Sequence, residues 1–305
     1  MTKIILLALS FALAYGLEIP QNHLVDTDWL IKNIDNKQLK IIDTREKKDY
    51  EAGHIQNSIN IPKSEYFKGV MGSDIKKLYS TPEQMTEIFQ NSGINANDTI
   101  LFYSAGIKDE DFADAASGLW NAWIYGFKNS IILNGGYAKW TYENKTITTE
   151  LPVITKSNFE FTAYQKGSLS SIVDIIEAIY DDNIQITDAR VSKAYLGNDT
   201  NKELARFGRI PTAKLTPVVR HVKLSDKKYY ELVSNEEAKQ GLTNNGFGID
   251  LKKPLIIYCN TGHKARGLWF VAKFMAKVDS VSVYDGGILE YSRSSLKMDT
   301  GEPTE

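Results

Sequence analysis

The chain of 305 residues contains one cysteine, Cys259. It opens the segment Cys259-Asn260-Thr261-Gly262-His263-Lys264, between the apolar run Leu255 to Tyr258 and a helical pattern from about Ala265. A lone thiol is either inert core filler or a nucleophile. A short turn from strand into helix aims backbone N–H groups and the positive end of a helix dipole at whatever lies inside it. Gly262 permits the tight curl. His263, Lys264 and Arg266 add positive charge nearby. These features lower a thiol's pKa and favour an anion beside it, so the pattern predicts a nucleophilic cysteine acting on an anionic substrate. A structural core cysteine has no need of a polar, basic loop. A Cys-x5-Arg phosphatase-type loop needs arginine at position 265, which is Ala265; Arg266 falls one residue late. The four histidines, His23, His54, His221 and His263, share no metal-ligand spacing. No metal and no cofactor is implied. One cysteine also excludes intrachain disulfides and Cys-cluster metal sites.

The length suggests about two domains. A hydrophobic fraction of 42% supports packed cores, and a formal net charge of −2 argues against a nucleic-acid binder. Residues 1–16 read as a secretory signal peptide. Lys3 gives a positive start, Ile4 to Ala14 is apolar, and Ala12-Leu13-Ala14 and Ala14-Tyr15-Gly16 end in small residues. The run is too short for a bilayer, which needs about 20 apolar residues, and no later segment approaches that length. The expected mature chain is periplasmic or secreted, without a membrane span.

The elements that must hold the loop are written twice. Ile41-Ile42-Asp43-Thr44-Arg45 recurs as Ile186-Thr187-Asp188-Ala189-Arg190. Tyr50 is matched by Tyr195, and Gly53-His54-Ile55 by Gly208-Arg209-Ile210. Thr99 to Ser104 aligns with Pro254 to Cys259, and Asn134-Gly135-Gly136 with Asp285-Gly286-Gly287. The expected organisation is a first domain over 17–144, a Thr-, Lys- and Pro-rich linker over 145–168, and a second domain over 169–305. Short apolar runs alternate with helical patterns, which means an α/β fold with a mainly parallel sheet flanked by helices in each domain. Ser170 or Ser171 is placed to cap a helix carrying Ile172, Ile175, Ile176 and Ile179 on one face. Ligands of such sheets sit at the carboxyl ends of strands, where Cys259 lies.

Through these motifs together, the chain resembles the tandem-domain rhodaneses, which are thiosulfate and 3-mercaptopyruvate sulfurtransferases. Asp43-Thr44-Arg45 with Tyr50 to Ile55 is similar to the family's amino-terminal signature. Asp188-Ala189-Arg190, Tyr195-Leu196-Gly197, the Cys259 loop and Tyr284 to Gly287 are similar to its carboxy-terminal domain. The resemblance implies two rhodanese-like domains and a catalytic cysteine that carries a sulfane sulfur as a persulfide. It implies an active loop of Cys259, Asn260, Thr261, Gly262, His263 and Lys264, which embraces the substrate. Arg190 is the leading candidate to hold the donor or orient the site, with a structural Asp188–Arg190 role as its rival.

The two copies differ. Ser104 stands where the second copy has Cys259, and serine cannot form a persulfide. Asp109, Glu110 and Asp111 come after Ser104 and would repel an anion, unless they only serve a helix N-terminus. The first copy is therefore expected to be inactive and to wall the second copy's site. Six of the seven arginines, Arg190, Arg206, Arg209, Arg220, Arg266 and Arg293, lie in the second copy, against 29 lysines overall. Arginine is the preferred fork for carboxylates and sulfur oxyanions. By the family's pattern, two basic residues directly after the cysteine accompany thiosulfate and small neutral ones accompany mercaptopyruvate. Asn260 and Thr261 followed by His263 and Lys264 match neither. The expected partners are a small anionic sulfur donor, with thiosulfate or polysulfide first, and a thiophilic acceptor such as cyanide or a thiol. Mercaptopyruvate as donor and a non-catalytic sulfur-binding module remain the alternatives.

Overall fold

The computed structural model describes residues 17–69, 73, 75, 77–161, 167–243 and 248–303. The proposed signal peptide lies outside the described residues. In the first half, five parallel strands lie in the order Leu24–Val25, Ser130–Leu133, Thr99–Tyr103, Leu39–Asp43, Ser58–Asn60. In the second half the order is Leu169–Ser170, Val281–Tyr284, Leu255–Tyr258, Gln185–Asp188, Lys214–Leu215, again all parallel. The two sheets are the same sheet built twice. The registers agree as well: Asp43 pairs with Tyr103 and Asp188 with Tyr258. Ser104 and Cys259 therefore step off equivalent strand ends. Leu255–Tyr258 is buried at every position, as a central strand covered by helices on both faces must be.

Local signals place the flanking helices. Ser171 caps Ile172–Ile179, and Asp174 returns a bond to the Ser171 backbone N–H, a capping box. The helix after the cysteine starts at His263, two residues earlier than the sequence pattern suggested, and runs to Phe270 before widening into a π-turn over Val271–Met275. It packs against Phe112–Ile124 of the first half. Gly267 permits this close crossing, since a Cβ there would stand 2.9 Å from Ala113 Cβ. The halves share one core in which Leu119, Trp120, Leu268, Trp269 and Phe270 are buried together. Each buried indole withdraws roughly 150–250 Å² from water. The Trp120 Nε1–H donates to the Ser168 carbonyl, pinning the start of the second half to the core of the first.

The segment read as a linker is stitched onto the first half. Ile147–Thr148 pairs antiparallel with His54–Ile55. Ser157 bonds the carbonyls of Gln90 and Ile94. Phe159 and Phe161 pack against Phe89. Apolar residues scattered among Thr and Lys give no periodic signal, so this attachment is invisible locally. Among the described residues, no helix is long and apolar enough to cross a membrane.

Candidate active site

The Cys259 side chain is 3% exposed. The backbone N–H dipoles of Thr261, Lys264 and Ala265 bear on its sulfur. The loop is held from beneath by the Tyr284 to Gly287 turn. Ile288 N–H donates to the Cys259 carbonyl at 2.9 Å and Leu289 N–H to that of Asn260 at 3.0 Å. Gly287 has φ +55°, and a Cβ there would fall 2.5 Å from the Cys259 carbonyl oxygen. Gly262 has φ +81°, and a Cβ would fall 2.1 Å from Asp285 Oδ1. Only glycine fits at either place. Burial pushes the Cys259 thiol up from its ordinary pKa; the three N–H dipoles pull it down without overcoming burial, and Asp188 adds to the rise. The sequence pattern suggested a lowered thiol. It registered the dipoles and missed the desolvation.

The cations that seemed free to attract an anion are all engaged. His263 Nε2 lies 2.6 Å from Asp114 Oδ1, and Lys264 Nζ lies 2.7 Å from Glu110 Oε2. Both acids belong to the first half. Arg266 is fully buried. Its Nε and Nη2 donate to Asp285 Oδ1 at 3.0 and 2.6 Å, and its Nη1 to the Tyr66 carbonyl. Its guanidinium is stacked near Phe67 and Trp120. Asp285 accepts one more bond, from Tyr79 N–H at 2.7 Å. Burial pushes its carboxyl up, while Arg266 and that N–H pull it back. The loop's own side-chain charges are therefore spent on partners, and what the loop turns on the sulfur is backbone dipole. The sequence gives no sign of Asp114, shows Asp285 only as part of the Tyr284 to Gly287 motif, and leaves Glu110 either to repel an anion or to serve a helix N-terminus. Only the partners' positions, far along the chain, could have revealed their use.

Arg190 is 3% exposed. Its Nε donates to both Asp188 oxygens, and its Nη2 to Asp188 Oδ2 and the Gly208 carbonyl, each at 2.7 Å. Burial alone would lower its pKa, but Asp188 outweighs it and holds the guanidinium firmly charged. Arg45 does the same in the first half, with Nη2 2.6 Å from Asp43 Oδ2 and 2.8 Å from the Gly53 carbonyl. The clamp is thus a feature of the repeat. What the second half adds is Arg190 Nη1, which donates to Asn260 Oδ1 at 3.1 Å and so ties the clamp to the loop. Arg206 donates to the carbonyls of Tyr291, Ser292, Ser294 and Leu296, and Arg209 to that of Gly301. Arg220 and Arg293 are exposed.

At the first half's strand end, the helix after Ser104 starts only at Phe112. No helix start curls around the hydroxyl as it does around the Cys259 sulfur. A hairpin of the second half, Val222–Ser225 with Tyr229–Leu232, covers this end. Tyr230 N–H donates to the Gly106 carbonyl and Leu232 N–H to Asn134 Oδ1, both at 2.8 Å. The Lys139–Glu231 pair at 3.1 Å closes the side. The remaining cavity beside Ser104 is about 10 Å³, room for one water at most.

Comparison with known proteins agrees with this duplicated geometry. The model of the rhodanese-like domain matches residues 26–143 and again 171–294. The chain belongs to the rhodanese-like sulfurtransferase family, in its tandem form. It is 29% identical over 281 residues to a protein of Synechococcus elongatus named as a putative thiosulfate sulfurtransferase, covering 90% of this chain and 83% of the relative. It is 25% identical over 282 residues to the sulfur carrier protein TtuD of Thermus thermophilus, covering 88% and 93%. Among solved structures it shares its fold with the 3-mercaptopyruvate sulfurtransferase SseA of Escherichia coli, at TM-score 0.74 and 23% identity over 87% of this chain and 98% of that one. It shares it also with the anaerobic ergothioneine biosynthesis enzyme of Chlorobium limicola, at TM-score 0.77 and 22% identity over 93% and 72%.

Proposed function

We propose that the chain moves a sulfane sulfur from thiosulfate or polysulfide to a thiophilic acceptor through a persulfide on Cys259. The observation that carries this reading is the place of Cys259, directly after the strand Leu255–Tyr258 and before the helix start at His263, where the Thr261, Lys264 and Ala265 N–H dipoles bear on its sulfur. Cys259 gives its proton to solvent, and its thiolate attacks the outer sulfur of thiosulfate. The sulfur–sulfur bond of the donor breaks and sulfite leaves with the electron pair. The loop dipoles stabilise the negative charge that the persulfide then carries. A cyanide or thiolate acceptor attacks the terminal sulfur and the Cys259 thiolate returns, which is a ping-pong sequence.

The arginine inventory favours an inorganic donor over mercaptopyruvate. A keto-acid carboxylate is best recognised by a free guanidinium fork. The forks of Arg190 and Arg266 are closed on Asp188 and Asp285, and Arg206 and Arg209 serve carbonyls. A small oxyanion needs only the N–H dipoles at the helix start. Export, read from Ile4 to Ala14, would bring the chain to inorganic sulfur rather than to a cytoplasmic keto acid. The test is intact-mass spectrometry of the protein mixed with thiosulfate, polysulfide or mercaptopyruvate. The expected result is a one-sulfur adduct with the first two donors, removed by cyanide and absent in Cys259→Ser. An adduct with mercaptopyruvate alone would move the donor assignment. Sulfur binding that survives in Cys259→Ser would favour the non-catalytic module and overturn the mechanism.

A further inference from the structure

We infer that Glu110 and Asp114 of the first half are positioning residues for the reactive loop of the second, holding its N–H groups on the Cys259 sulfur through Lys264 and His263. The inference rests on the Cys259 persulfide reading only for its catalytic consequence. Lys264 and His263 are neighbours in the first turn of His263–Phe270. Each is caught by an acid at the facing helix, Lys264 by Glu110 just before its N-cap at 2.7 Å and His263 by Asp114 in its first turn at 2.6 Å. Asp114 is steadied in turn, because its second oxygen lies 3.2 Å from Lys63 Nζ, and Phe67 stands edge-on to the His263 ring. The residue whose side chain is tethered, Lys264, is one of the three whose N–H dipole bears on the sulfur, and Ala265 comes directly after it. The tethers therefore act on the backbone that makes the sulfur site.

The pairs are only partly exposed, with side-chain accessibilities of 29% and 38% for Lys264 and Glu110 and 22% and 10% for His263 and Asp114. Their geometry is more useful than their bare Coulomb energy, which for exposed pairs is small. Two tethers on consecutive residues fix both the position and the rotation of a helix turn, and a shift of about 1 Å in a reacting group's surroundings is enough to slow chemistry strongly. The acidic residues after Ser104 thus have a use in the facing site, 149 residues away in sequence for the Asp114 contact. The groups that bear on the Cys259 charge from other elements are Asp188 and Arg190; neither is touched by the variants of the test.

The experiment compares two double variants of the full chain. Glu110→Gln with Asp114→Asn removes two charges and keeps hydrogen-bonding side chains of the same size. Glu110→Ala with Asp114→Ala removes the same charges and the tethers too. Cys259 is the only thiol in the chain, so the pH profile of alkylation by iodoacetamide reads it cleanly. The expected result is a thiol that titrates higher in the alanine variant than in the amide variant by about half a unit. Sulfur uptake from thiosulfate is expected to be about tenfold slower in the alanine variant than in the amide variant. Loss of acidic charge alone would lower the thiol's pKa equally in both. Identical alkylation profiles for the two variants would overturn the inference, as would a lower pKa in the alanine variant. If the wild-type chain takes up no sulfur from any donor, the functional reading fails while the alkylation comparison still decides this one.

Discussion

The two strand ends that carry Ser104 and Cys259 share strand order, register and an Asp–Arg clamp to the next Gly turn, yet only the second leads straight into a helix start and is the proposed reaction site. The difference lies in the path the chain takes on leaving each strand. After Tyr258 it curls at once into a helix start, and its amides close on the sulfur. After Tyr103 it wanders to Phe112, and a hairpin from the other half fills the space. The duplication preserved the scaffold and let one loop become an interface. Glu110 and Asp114 beside that interface pair with the turn that follows Cys259, so under the proposed reading the first strand end braces the second.

The sharpest way to break this contrast is to move the thiol. Ser104→Cys combined with Cys259→Ser leaves one cysteine at the equivalent strand end. If loop geometry makes the site, this variant forms no persulfide with thiosulfate, and iodoacetamide alkylates it at least about a thousandfold more slowly than Cys259. A one-sulfur adduct on the moved thiol would show that the strand end alone suffices.

A second test sets the histidines of the halves against each other. His54 has both ring nitrogens occupied, by the Tyr50 carbonyl at 2.8 Å and the Glu150 carbonyl at 3.1 Å. His221 is fully buried, and neither nitrogen has a hydrogen-bond partner among the described residues. Burial, helped by Arg220, pushes its imidazole down to about 4. In an unfolded chain a histidine titrates near about 6.5. The folded pKa is the lower one, so the neutral ring's contribution is complete above about 6.5 and is lost as pH falls toward about 4. That loss is about 3 kcal/mol. Urea unfolding of the wild type and of His221→Phe across this window checks it; the variant should show a flatter acid limb. Equal slopes would mean that the His221 pKa is the same in the folded and unfolded states, as it would be for a hydrated ring.

The smallest expected effect sharpens the clamp comparison. Arg45→Lys and Arg190→Lys each replace a buried fork by a point charge and should cost about 2 kcal/mol of stability alike. Only Arg190→Lys should also slow sulfur uptake, because only Arg190 reaches the loop, through Asn260. Equal uptake rates in the two variants would reduce Arg190 to a purely structural part.

Much of this was legible in the residues. Asp43 to Arg45 and Asp188 to Arg190, with the Gly turns after them, announced the repeat. The unbroken apolar Leu255–Tyr258 announced a central strand with Cys259 at its end. Ser170 or Ser171 marked a helix start, and Ser171 is the cap. The misreadings have one cause. His263, Lys264 and Arg266 looked like free cations because Asp114, Glu110 and Asp285 meet them only in space. Arg266 reaches the Tyr66 carbonyl across 200 residues. The segment 145–168 looked like a tether because no period ties Ile147, Phe159 and Phe161 to the surfaces they cover.

The sequence by itself determined the duplicated α/β architecture, the single thiol at one strand end and the serine at the other. These come from residue identity, turn glycines and local periodicity, all of which act over a few residues. Tertiary structure alone decided which charges are free, which way the thiol's pKa moves and how the first half meets the turn after Cys259. Those properties depend on desolvation and on Coulomb partners, and both are set by whichever residues the fold brings within a few ångströms, however far apart they lie along the chain.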